Sequence, residues 1–157
     1  MNKDVIIASL LDQFDRSLRM FRNAITSFPA DEWLKGDMAY LRPAGVAYHV
    51  VESIEFYTGE VSVDEFVWGG RFGCDWEDSD SLKLPTQKQV LQYLDEVWST
   101  ARVWLETRNP SQPETLFPWT CTVLHGKHLY LLRHIQHHVA EMSLELKRRG
   151  YESPEWR

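Results

Sequence analysis

Four stretches of this chain repeat apolar residues at spacings of three and four, and each ends at a proline or glycine. Such spacing puts one apolar stripe on each of four helices, and stripes of that length are buried by packing helix on helix. The first stretch spans about 3–28, with Ile7, Leu10, Leu11, Phe14, Leu18, Phe21 and Ile25 in register and Pro29 as its stop. The second spans about 43–58. Pro43 suits its first turn, Val46, Val50, Ile54 and Tyr57 form its stripe, and Gly59 follows it. The third spans about 86–108, where Thr86 and Gln89 form a capping-box pattern ahead of Val90, Leu94, Val97, Trp98, Ala101, Trp104 and Leu105. The fourth spans about 122–149, with Leu131, Leu132, Ile135, Val139, Met142 and Leu146 on its core face and Gly150 after it.

These elements predict an all-α domain over residues 1–157, a four-helix bundle. The 59–85 connection is far longer than a bundle turn. It carries Gly69, Gly70, Gly73 and the acidic run Asp75 to Asp80, and either crosses over the bundle or serves a function. A short helix near 63–68 is expected within it. The 109–121 segment holds Pro110, Pro113 and Pro118 and reads as an ordered loop.

The net charge of −6 argues against nucleic acid and an anionic membrane surface as partners. The basic cluster Lys147-Arg148-Arg149 closes the last helix, where it complements the helix dipole. No apolar run approaches the ~20 residues of a membrane span. Met1-Asn2-Lys3-Asp4 leads straight into an amphipathic segment without a secretion signal, so a cytoplasmic protein is expected. Cys74 and Cys121 are then expected as reduced thiols. Trp98 and Trp104 lie on a helical stripe and are expected to pack. Trp33, Trp68, Trp76, Trp119 and Trp156 lie in loops or near ends, where they cover core edges or line a pocket.

The chemistry-bearing feature is His134-Ile135-Gln136-His137-His138. His134 and His138 are ~40° apart on a helical wheel and flank the apolar stripe. A helix commonly offers two ligands to one transition metal in this way. The alternative is a pair of hydrogen-bonded histidines at the bundle rim. His49 flanks the stripe of the second helix and becomes a third ligand only if it meets that pair; a lone histidine there is ordinarily structural. His137 points about 160° from Ile135 and should face solvent or a partner subunit. His128 lies about 120° from His134, which disfavours one ion binding both. His125 falls in an uncertain first turn. Glu52 and Glu141 lie near the faces of His49 and His134. Each reads as a partner fixing an imidazole, as a general base, or more plainly as a solvated helix glutamate.

Ala47-Tyr48-His49-Val50-Val51-Glu52 and the stretch from Leu132 to Met142 together resemble the DinB/YfiT-like metalloenzyme superfamily, as does the ending Leu146-Lys147-Arg148-Arg149-Gly150. The resemblance covers nearly the whole chain. It implies a four-helix bundle, commonly homodimeric, with a divalent transition metal such as zinc, nickel or iron on His49, His134 and His138, and His137 not a ligand. It further implies an enzyme acting on a small molecule, in which the metal activates a low-molecular-weight thiol or water, as an S-transferase or a hydrolase would. Many members of the superfamily follow the double histidine with Arg-Gly-Gln. Here Val139-Ala140-Glu141 replaces a positive charge by a carboxylate, which weakens the case for an anionic thiol. A non-catalytic metal-binding or structural bundle, with the long connection binding a partner, is the alternative.

Overall fold

A computed structural model describes residues 3–77 and 80–156. Asp78 and Ser79, two positions of the acidic run in the long connection, lie outside the described residues, as do Met1, Asn2 and Arg157. The four expected helices are present: α1 (Lys3–Ser27), α2 (Pro43–Thr58), α3 (Gln87–Thr107) and α4 (Leu124–Arg148). Single 3-10 turns occur at Ala39–Leu41 and Ser81–Lys83. Among the described residues the only extended pairing is one isolated antiparallel bridge between Pro113 and Val123. None of the described helices is long and apolar enough to cross a membrane.

Local chemistry sets the helix ends. Pro43 opens α2. At α3 the Thr86 hydroxyl accepts from the Gln89 N–H at 3.3 Å, while the Thr86 N–H donates to the Gln89 carbonyl oxygen Oε1 at 2.9 Å, completing the capping box. The apolar stripes then meet in one core that includes Phe14, Phe21, Ile54, Leu94, Leu105, Leu131 and Ile135, all buried.

Each helix packs on two others: α1 on α3 and α4, α2 on α3 and α4. The end of α1 and the starts of α2 and α3 share one pole. There Gln87 Nε2 donates to the carbonyls of Ile25 and Phe28, and the Ala44 N–H donates to the Trp33 carbonyl. The end of α4 reaches the same pole through Arg149, which donates to the carbonyls of Glu32, Lys35 and Leu41. Helices α2 and α3 therefore run parallel, and parallel neighbours require a connection that returns along the bundle. The 59–85 segment is that crossover.

The crossover follows a defined path. Gly69 takes φ +74°, and a Cβ there would come within 2.6 Å of the Cys74 carbonyl. Gly45, in the first turn of α2, lets the chain approach so closely that a Cβ would meet the Trp76 carbonyl at 2.7 Å. The expected helix near 63–68 does not form. Residues 63–65 make a single turn, in which Glu65 hydrogen-bonds the Ser62 hydroxyl at 2.7 Å. Phe66 then packs on Phe56 of α2, with ring centroids 5.0 Å apart.

Candidate metal centre

His49 projects from the middle of α2, and His134 and His138 from the middle of its antiparallel neighbour α4. The tertiary fold brings the three together. Ring centroids are 5.1 Å apart for His49 and His134, 5.0 Å for His49 and His138, and 4.6 Å for His134 and His138. One ring nitrogen from each lies within 4.8 Å of the other two. Small side-chain movements would let all three face one ion at bonding distances of about 2.0–2.1 Å.

The surroundings favour neutral imidazoles, the form that binds a metal. Burial, then the neighbouring histidines, push His49 down to about 3. Burial likewise lowers His134 to about 4. His138 is also lowered by burial, with the Glu141 carboxylate opposing. The Nδ1 of His49 is buried and lacks a hydrogen-bond partner among the described residues. An orphaned lone pair or N–H is costly in a protein interior. The donor set thus fits a divalent transition metal, whose identity three imidazoles do not select.

Neighbouring groups orient the rings. His138 Nδ1 is 2.7 Å from Glu141 Oε2. A carboxylate only accepts, so Nδ1 carries the proton and Nε2 is left with its lone pair. The other oxygen of Glu141 pairs with His137 Nε2 at 3.1 Å. His134 Nε2 is 3.1 Å from the buried Ser53 hydroxyl. On the crossover side, Trp76 leans on the His49 ring at 4.5 Å between centroids and Trp68 stacks near it at 6.3 Å.

The other residues singled out in the sequence have these places. His137 is exposed, as its wheel position implies. His128 is buried against Trp104, 5.2 Å between centroids, and takes no part in the cluster. His125 lies in the first turn of α4, its Nδ1 buried and without a hydrogen-bond partner among the described residues. Glu52 is not a solvated helix glutamate. The crossover covers it, and its Oε1 accepts the Gly69 N–H at 2.7 Å. Burial raises its carboxyl to about 7. Cys74 and Cys121 are not joined in a disulfide.

Two buried polar groups escaped the periodicity argument. Lys127 pairs with Glu114 at 2.8 Å between the rings of Trp104 and Phe117, pinning the 108–123 loop to α4. Arg149 adds Glu145 at 2.7 Å and Glu32 at 3.0 Å to its three carbonyls, far more than a dipole partner. Lys127 was detectable in principle, because it falls on the same helical face as Leu124 and Leu131.

No family model matches the chain, and no curated protein or solved structure matches it significantly.

Proposed function

We propose that the chain is a metal-dependent enzyme acting on a small molecule, with His49, His134 and His138 holding a divalent transition metal. The observation that carries this reading is the convergence of three imidazoles, kept neutral by burial, from two antiparallel helices. Such an ion, with a coordination position left open, makes a bound thiol or water a nucleophile near neutral pH. The chain's own residues prepare the site. Glu141 holds the His138 proton on Nδ1, Ser53 steadies His134, and Trp76 shields His49 from water. Membership of the DinB/YfiT-like superfamily and a cytoplasmic location belong to the same reading.

Metal analysis of purified protein tests it, with each histidine changed to alanine in turn. One ion per chain in the wild type and loss of it in the variants is expected. Full occupancy in all three variants would sink the proposal.

A homodimer goes with this reading. An apolar groove of about 360 Å³ between α1 and α4 is flanked by Leu144 and Trp156, which are 69% and 77% exposed. Light scattering at micromolar concentration should give twice the chain mass; a monomer refutes it.

The rival reading, a structural metal site, draws on the close cover of His49 by Trp76. A large loss of thermal stability with chelator, together with no exchangeable ligand on the metal, would favour it over catalysis.

A further inference from the structure

Glu141 serves two histidines at once. Its Oε2 lies 2.7 Å from His138 Nδ1, and its Oε1 lies 3.1 Å from His137 Nε2. Consecutive helix residues leave the axis about 100° apart, so neighbouring side chains ordinarily diverge. These two rings instead turn towards one carboxylate a helical turn further on, with centroids 5.1 Å apart. One ligand atom from each of His137, His138 and Glu141 lies within 4.8 Å of the other two. His138 contributes Nδ1 to this group, which leaves its Nε2 for the cluster with His49 and His134.

The three donors differ in access. The His138 side chain is 6% exposed, whereas those of His137 and Glu141 are 65% and 33% exposed. A fixed, buried nitrogen therefore stands beside two donors that solvent reaches. An ion can arrive there from outside the bundle. A hydrogen-bonded surface pair is a weak account of His137, because an exposed histidine–carboxylate contact contributes about 1 kcal/mol at most. Two imidazoles and a carboxylate are instead a regular donor set for zinc. All three come from the stretch 137–141 of one helix, so little further ordering is needed to close them on an ion.

We propose that His137 Nε2, His138 Nδ1 and a Glu141 oxygen form a second, outer site for a divalent transition ion such as zinc, with water completing its shell. His138 then bridges two ions through its two ring nitrogens. Loading the outer ion breaks the Nδ1–H bond of His138, forms the Nδ1–metal bond and releases the proton to solvent, with no change of oxidation state. The ion also draws Glu141 away from the His138 ring. Two cations on one imidazole weaken each other's binding, and the weakening is reciprocal. Excess zinc thus loosens the inner ion, which makes the outer site a sensor of metal level. Capture by the three side chains stands by itself; the bridge rests on the metal-enzyme reading above.

Zinc is titrated into metal-free full-length protein, with calorimetry for affinity and equilibrium dialysis for stoichiometry. The wild type should take two ions per chain, the second at least about tenfold more weakly and with about one proton released at that step. His137→Ala should lose the second ion and keep the first at unchanged affinity. His49→Ala should lose the inner ion and keep the outer one. A second ion that survives in His137→Ala, or a wild type whose one ion is lost in His49→Ala, overturns the outer site and leaves the inner one standing. A wild type whose one ion is lost in His137→Ala but kept in His49→Ala removes the inner centre, and the bridge falls with it. Copper(II) tests the bridge directly. With both sites filled, spin coupling through the His138 ring should reduce the electron paramagnetic resonance signal per ion below that of His137→Ala. An undiminished signal overturns the bridge. The wild-type stoichiometry and signal decide even if a variant misfolds.

Discussion

Glu141 Oε2 stands 2.7 Å from His138 Nδ1, three residues back on α4, and this single contact decides which ring nitrogen His138 can present to the centre. The carboxylate that follows the double histidine turns back onto α4 and orients the His138 ring.

Replacing Glu141 by alanine should therefore weaken metal binding by roughly 10- to 100-fold without unfolding the bundle. Competition against a calibrated chelator measures this directly. An unchanged affinity would mean that the contact does not orient the ring.

Glu52 offers a test through pH. Its folded carboxyl is raised to about 7, above the usual ~4.3, so the folded state binds its proton more tightly than the unfolded chain does. Its contribution to stability is present below the unfolded value and is lost as pH rises towards 7, by about 4 kcal/mol at most. Its Oε2 and the Tyr48 hydroxyl interact electrostatically but lie outside hydrogen-bonding geometry. Glu52→Gln keeps an acceptor for the Gly69 N–H and carries no charge, so urea denaturation should show it gaining on the wild type between pH 4.5 and 7. Glu52→Ala leaves that N–H unpaired and should lose about 1–3 kcal/mol.

His128 runs in the opposite direction. Burial lowers it to about 4, and neither ring nitrogen has a hydrogen-bond partner among the described residues. Below the ordinary ~6.5 the unfolded chain takes up a proton that the folded chain refuses, so stability falls as pH drops from 6.5 towards 4. His128→Leu removes that dependence at one site. Its stability advantage over the wild type should widen across this interval, reaching about 3 kcal/mol at most; a constant difference would contradict the assignment.

Arg149 should not tolerate lysine. Its guanidinium serves three backbone carbonyls and two carboxylates at 2.7–3.0 Å, and a point ammonium has neither the reach nor the fork geometry for all five. Arg149→Lys should cost about 1–3 kcal/mol by chemical denaturation, because the carbonyls of Glu32, Lys35 and Leu41 lose donors, while Glu145 and Glu32 keep Arg148 and Lys35 as partners. A change smaller than about 0.5 kcal/mol, the range of ordinary surface substitutions, would show the network to be incidental.

The four helices were legible in the sequence because burial of one face imposes a period of 3.6 on the apolar residues. Their ends were legible because Pro43, Thr86 and Gly150 act on the backbone within one turn. The His134 and His138 pair was legible for the same local reason, since residues four apart share a face whatever the rest of the chain does. What depends on which helices are neighbours was not legible in the periodicity, and His49 joined the pair only through the family resemblance. His49 meets the pair only because α2 packs antiparallel to α4. Glu52 is buried only because α2 and α3 run parallel and the crossover must return over them. Trp68 and Trp76 come near His49 from a loop with no period to read. Helical periodicity is a property of each segment alone. The pairing of segments is chosen by the summed burial of the whole chain, so the composition of the centre was decided in the tertiary structure.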